Sequence, residues 1–203
     1  MNKNTGNILS LQPKPVWQYF LKILEIPRPS RHEEMIRNYL IDFAQNHNLN
    51  YKTDSAGNLL ITKEASPGYE NKKTVILQSH MDMVGEKNSN VKHNFFEDKI
   101  EAHIDGEWVK ANDTTLGADD GIGIASQLAI LASSKIEHGP LECLFTVDEE
   151  TGLSGAKALE ENFFTGKILL NLDSEDEGEL FIGCAGGIDT IGNFGFKRKK
   201  IPE

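Results

Sequence analysis

An apolar run, Leu141-Glu142-Cys143-Leu144-Phe145-Thr146-Val147, stops at three consecutive carboxylates, Asp148-Glu149-Glu150, followed by Thr151-Gly152. The run has the composition of a buried strand, and ligands of open α/β sheets gather beyond the C-terminal ends of their strands. Three carboxylates at such an end repel one another. A hard or borderline cation relieves that repulsion, and a carboxylate left free of the cation can act as a base. Taken alone, the triplet also fits an ordinary acidic turn before a glycine. Its meaning depends on what the rest of the chain supplies.

Several segments do supply something. Val16, Phe20, Leu21 and Leu24 recur at helical spacing over residues 15–26, with Pro15 suited to the first turn and Pro27 and Pro29 ending the helix. Ser30 with Glu33 has the pattern of a capping box for a second helix reaching Asn46, whose buried face would be Met35, Ile36, Leu40 and Phe43. Asn50–Asp54 and Leu59–Lys63, separated by Ser55-Ala56-Gly57-Asn58, form a predicted hairpin. Thr74–Gln78 is a predicted buried strand running into Ser79-His80-Met81-Asp82. Lys99–Lys110 is a predicted hairpin turning at Asp105-Gly106, and it leads through Gly117-Ala118 to Asp119-Asp120 and a helix over 122–133. A short helix is expected over Ser154–Asn162. Lys167–Leu172 is another predicted buried strand ending in acid, at Asp173 and Glu175. Strands are also expected over Glu179–Gly183 and Ile188–Phe196.

Four runs therefore lead into possible metal ligands: His80 with Asp82, Asp119 with Asp120, Glu149 with Glu150, and Asp173. Strand ends on one side of a parallel sheet converge whatever their separation in sequence. His80 and Asp82, two apart in an extended segment, point the same way, so Asp82 can hold the second ring nitrogen of a ligating His80. Glu149 and Glu150 are adjacent and diverge, one toward a metal and the other toward a substrate. Asp119 and Asp120 cannot both aim at one ion from regular extended backbone, so one of them is structural. One histidine among several carboxylates suits zinc, manganese or cobalt, and the number of carboxylates suits two ions. His32 and His47 are expected in surface or capping roles, and His93 and His103 at the surface.

Composition removes other classes. A net charge of −10 argues against nucleic acid as the main partner, even with the basic run Lys197–Lys200. Apolar runs are too short for a membrane span, and residues 1–12 have no apolar segment of a secretory signal. Cys143 and Cys184 both lie in apolar sequence; no disulfide framework is expected, Cys184 is expected to pack as a small hydrophobe, and a reducing cytoplasm is the expected location.

The segments Leu77–Val84, Thr115–Gly123, Phe145–Gly155 and Asn171–Glu175 resemble those of the zinc exopeptidases, the group of aminoacylases, glutamate carboxypeptidases and cytosolic dipeptidases. The resemblance is nearest to the aminoacyl-histidine dipeptidase family and extends over essentially the whole chain. It implies an α/β fold with a mixed, mainly parallel sheet flanked by helices. It also implies two zinc ions, with manganese or cobalt as substitutes. His80 and Asp173 would hold one zinc and Glu150 the other, with Asp119 bridging them; Asp82 would orient His80. Glu149 would be the general base of a zinc-activated water that hydrolyses unblocked dipeptides, Xaa-His among them. An aminoacylase or tripeptidase activity, or a catalytically silent metal-binding module, would use the same residues.

Members of that family are longer than 203 residues and supply a second histidine ligand from a later segment. The expectation is therefore an incomplete catalytic domain over 1–186 and the start of a lid or dimerisation domain over 187–203. A homodimer would form through a part that this chain lacks.

Overall fold

The computed structural model describes residues 8–174, 176, 178–188 and 190–199. Glu175 and Lys200, named above, lie outside them. Two compact units are resolved, Met1–Asp173 and Ser174–Glu203.

The first unit is built on a five-stranded sheet. Helix α1 (Lys14–Ile23) begins with prolines in its first turn and is followed by α2 (Glu34–Asn46). Strands β1 (Asn50–Thr53) and β2 (Leu59–Lys63) form the expected antiparallel hairpin, and β3 (Val75–His80) follows. A separate two-stranded hairpin, β4 (Ala102–Asp105) and β5 (Trp108–Ala111), precedes helix α3 (Ala118–Ala132). Strand β6 (Leu141–Thr146), the one-turn helix α4 (Ser154–Lys157) and strand β7 (Ile168–Asn171) complete the unit. The strand order is β1-β2-β6-β3-β7. β1, β2 and β6 pair antiparallel, while β6, β3 and β7 run parallel.

Alternation along the central strands divides the core between two faces. Leu59, Ile61, Leu77, Cys143 and Phe145 face the main cluster, with Phe20 and Ile23 of α1, Ile36, Leu40 and Phe43 of α2, and Ile124, Leu128 and Leu131 of α3. Leu60, Ile76 and Leu144 point the other way and meet Phe163. A fully buried Leu, Ile or Phe contributes about 1.5–3 kcal/mol, so most of the stabilisation lies on the helix-covered face. Gln127, wholly buried in α3, donates to the Leu77 and Leu144 carbonyls and accepts from Ser79 Oγ, tying that helix to both central strands.

Several expectations are corrected. Ser30 and Glu33 do not form a capping box; α2 has no side-chain cap, and both residues bond to the segments described below. Met35 is exposed rather than buried. The helix after Leu153 stops at Lys157, well before Asn162. β7, expected to be buried, is exposed along its whole length, and among the described residues it is an edge strand paired with β3 alone. In the second unit no described residue is in a strand or helix. Leu180, Phe181, Ile182, Ile191 and Phe194 are exposed, as is Cys184. Alternating apolar residues mark a capacity for strand formation, but a strand also needs a neighbour for its backbone donors and acceptors. No helix among the described residues is long and apolar enough to cross a membrane.

Candidate metal centre

The register of the parallel strands assembles the site. His80, the last residue of β3, pairs with Thr146 at the end of β6, so the 148–150 carboxylates leave the sheet beside it. Gln78 pairs with Asn171 of β7, which puts Asp173 at the same edge. Asp119 arrives differently. β4 and β5 are not part of the main sheet, and Asp119 is carried by the N-terminal turn of α3, packed against β3.

His80 is at the centre. Its Nε2 donates to Asp119 Oδ1 at 2.7 Å and lies 3.8 Å from Asp173 Oδ2. Two overlapping donor sets meet there, His80/Asp119/Glu150 and His80/Glu149/Asp173, the atoms of each set within 4.8 Å of one another. Glu149 shares its set with Asp173 and Glu150 shares its set with Asp119, so both carboxylates come within reach of His80 rather than one of them turning away. On its far side, His80 Nδ1 lies 3.3 Å from Asp82 Oδ1, paired in charge but out of line for a hydrogen bond. All six residues singled out for catalysis or metal binding therefore come together: His80, Asp82, Asp119, Glu149, Glu150 and Asp173.

Asp82 is fully buried and anchors the acidic turn. Its Oδ1 accepts from the Glu149 N–H at 3.0 Å, and its Oδ2 accepts from the Glu150 N–H at 3.2 Å and from Ser30 Oγ at 2.8 Å. Glu33 accepts from the Asp148 N–H, and Asp148, with φ of 49°, accepts from Thr151 and Ser154 hydroxyls. Asp148 is thus the hub of the turn and not one of the donors around His80. Asp119 and Asp120, joined by a cis peptide bond, have separate jobs. Asp120 is buried and uses both oxygens on backbone, accepting from the His80 N–H at 3.3 Å and the Gly123 N–H at 3.1 Å.

The electrostatics reflect the crowding. Burial pushes Asp120 up to about 7, helped by Asp173 and Asp119. Burial also lifts Asp173 to about 6, with the Asp119 and Glu149 carboxylates adding to it. Glu150 is raised by burial and then by Asp119. Burial acts to lower His80, but Asp82, Asp120 and Asp119 outweigh it and raise the imidazole to about 9. Burial likewise opposes ionisation of Asp82, yet His80, the Glu149 N–H and Ser30 bring it down to about 2.

A divalent cation fits this donor set. One imidazole nitrogen and four carboxylates converge on a single edge, and the proton now shared by His80 and Asp119 is one that a metal would displace. Nitrogen among oxygens favours zinc, manganese or cobalt over calcium. Beside Glu149 and Asp173 lies a cavity of about 200 Å³, with Gln78 and Asn171 as polar lining and Leu144, Leu153 and Phe164 among its apolar walls.

Sequence reasoning missed Arg28 and Asn58, both wholly buried. Asn58 accepts from the Val147 N–H and donates to the Gly155 carbonyl and to Asp54, joining the β1–β2 turn to the end of β6. Its place after Gly57 marked it only as a turn residue. Arg28, between two prolines, carries no local signal of burial.

No family model matches the chain. It is 50% identical over 197 residues to the cytosol non-specific dipeptidase of Escherichia coli K12, a match covering 97% of this chain and 41% of that protein. The crystal structure of aminoacylhistidine dipeptidase from Vibrio alginolyticus matches with a TM-score of 0.83 and 53% identity, over 84% of this chain and 35% of that one. The crystal structure of aminopeptidase PepT from Bacillus cereus ATCC 10987 matches with a TM-score of 0.67 and 28% identity, over 80% of this chain and 44% of that one. The chain spans less than half the length of each of these proteins.

Proposed function

We propose that this chain, which belongs by sequence with the cytosol non-specific and aminoacylhistidine dipeptidases, carries the metal-holding and proton-transferring carboxylates of a metal-dependent dipeptidase. The observation that supports this most directly is the pair of donor sets overlapping at His80. An imidazole nitrogen binds one cation. In this proposal His80 and Asp173 would hold one ion and Glu150 the other, with Asp119 as a further donor. Two zinc ions, or manganese or cobalt in their place, would supply Lewis acidity to the scissile carbonyl and to water, whose pKa would fall toward about 7.

The remaining chemistry belongs to the chain. Glu149 takes a proton from the attacking water as the C–O bond forms. It returns that proton to the amine nitrogen as the C–N bond breaks. Asp82 keeps the imidazole of His80 oriented and holds the 149–150 backbone through two N–H groups. The cavity beside Glu149 and Asp173 offers the substrate an apolar wall. Unblocked dipeptides, Xaa-His included, are the proposed substrates. The proposal extends to a cytoplasmic setting and to a second domain starting near residue 187 that forms a homodimer.

The test uses the protein expressed from its complete reading frame. Glu149→Gln should keep its zinc and lose about 10²–10⁴-fold in kcat on His-containing dipeptides. Glu150→Ala should lose zinc, as read by elemental analysis. Wild-type turnover in Glu149→Gln would remove Glu149 as the base, and a wild-type protein that binds no divalent metal would overturn the whole reading.

A further inference from the structure

Arg28 has no part in the chemistry just described, yet its side chain is the largest among those that are fully buried. Taking a guanidinium out of water is costly unless its donors are met. Here they are met by backbone. Nη1 donates to the Met81 carbonyl at 3.0 Å and the Asp82 carbonyl at 2.6 Å, and Nη2 donates to the Gly117 carbonyl. These carbonyls belong to two different segments. One runs out of the end of β3 at His80 and on to Asp82; the other enters α3 and carries Asp119. The main chain of Arg28 adds a further hold, its carbonyl accepting from the Met83 N–H at 3.0 Å.

The surroundings are shaped for this group. A Cβ on Gly117 would come within 2.7 Å of Arg28 Nη2, and one on Gly121 within 2.8 Å. Gly117 also has φ of 71°, a conformation that glycine adopts without strain. The carboxylates of Asp120, Asp82, Asp119 and Glu150 all act on the guanidinium, so it is a buried countercharge behind the acidic edge. Burial still dominates and brings it down to about 10, so it remains charged at neutral pH.

We infer that Arg28 is a positioning residue that sets the spacing between the His80–Asp82 segment and the Asp119 turn, and so determines how tightly the site holds metal. This rests on the metal-dependent reading above. It assigns metal affinity to a side chain that hydrogen-bonds to the Met81, Asp82 and Gly117 carbonyls and not to the candidate donor atoms. The fork geometry is essential: a lysine ammonium carries the charge but cannot span carbonyls as a rigid planar fork does.

The test measures Co2+ and Zn2+ binding by calorimetry and by the visible absorption of bound Co2+, on protein expressed from its complete reading frame. Arg28→Lys should weaken metal binding by about 10–100-fold and alter the Co2+ spectrum, with kcat reduced more than KM rises. Arg28→Met should do the same or worse. Gly121→Ala keeps the arginine but pushes on Nη2, and should also weaken binding; it decides the matter if the Arg28 variants do not fold. Folded variants with wild-type affinity and an unaltered Co2+ spectrum would overturn the inference, even if their thermal stability falls. Failure of the wild-type protein to bind metal would instead overturn the functional reading.

Discussion

At the scale of single residues, Asp82 shows how much one carboxylate can organise. It accepts from Ser30 and from two successive backbone N–H groups, and it faces His80. Replacing it with Asn removes the charge and sets an amide NH2 against a donor whichever way the side chain is turned. Such a buried mismatch costs about 1–3 kcal/mol. Asp82→Asn should therefore lower the urea midpoint of the metal-free protein and weaken zinc binding by about 10–100-fold. An unchanged midpoint would mean that the carboxylate does not hold the 149–150 turn. Residue chemistry was also the most legible level in the sequence. The candidate donor types stood at or just beyond predicted strand ends, and the odd–even spacing of His80 and Asp82 announced their shared direction. Arg28, Ser30 and Glu33 were not legible in these roles, because their partners lie 50 residues or more away in sequence.

Secondary-structure elements matter here through their ends. The start of α4 packs directly on the end of β6, where the Gly155 N–H donates to the Val147 carbonyl at 3.1 Å. A Cβ on Gly155 would meet Val147 O at 2.3 Å, Asn58 Oδ1 at 2.6 Å and Val147 N at 2.8 Å. Two of these are backbone atoms and the third is a buried, fully bonded side chain, so none can yield easily. Gly155→Ala should destabilise the protein by about 1–3 kcal/mol, with the melting temperature falling by about 2–4 °C for each kcal/mol. Circular dichroism melts would measure this, and an unaltered melting temperature would show that α4 can move away from β6. The strands of the parallel half of the sheet were found near their expected positions. The exposed faces of β7 were not foreseen, because composition reports what a strand could bury and not whether a layer covers it.

For the whole molecule, the acidic edge links folding to protons and, in the proposed function, to metal. Asp120 at about 7 and Asp173 at about 6 stand above the usual 3.8, so the folded state holds protons that the unfolded state releases. Their contribution is lost as pH rises from near 4 to 7. His80 at about 9, against 6.5, continues the loss toward pH 9. Asp82 at about 2 acts in the opposite sense, but only below about pH 4. In the presence of a chelator, the melting temperature should fall between about pH 5 and pH 9. Zinc should raise it most at the alkaline end, because the metal takes the place of those protons. A metal-free melting temperature that climbs over this range would contradict the electrostatic picture.

The sequence by itself determined the vocabulary of the site: an apolar run ending at Asp148-Glu149-Glu150, His80 two residues before Asp82, and Asp119 and Asp173 beyond their own segments. Side-chain periodicity and strand composition are local properties, and they survive in a one-dimensional reading. Which carboxylate meets which was decided by tertiary structure. The registers of β3 with β6 and β7 bring three of the segments level, and α3 delivers Asp119 from outside the sheet. Asp120 was turned to the backbone and Asp148 to its own turn, while Asp119, Glu149 and Glu150 were left facing His80. The buried guanidinium of Arg28 joins two of those segments. Such a bond depends on distances between parts of the chain far apart in sequence, and only folding sets them.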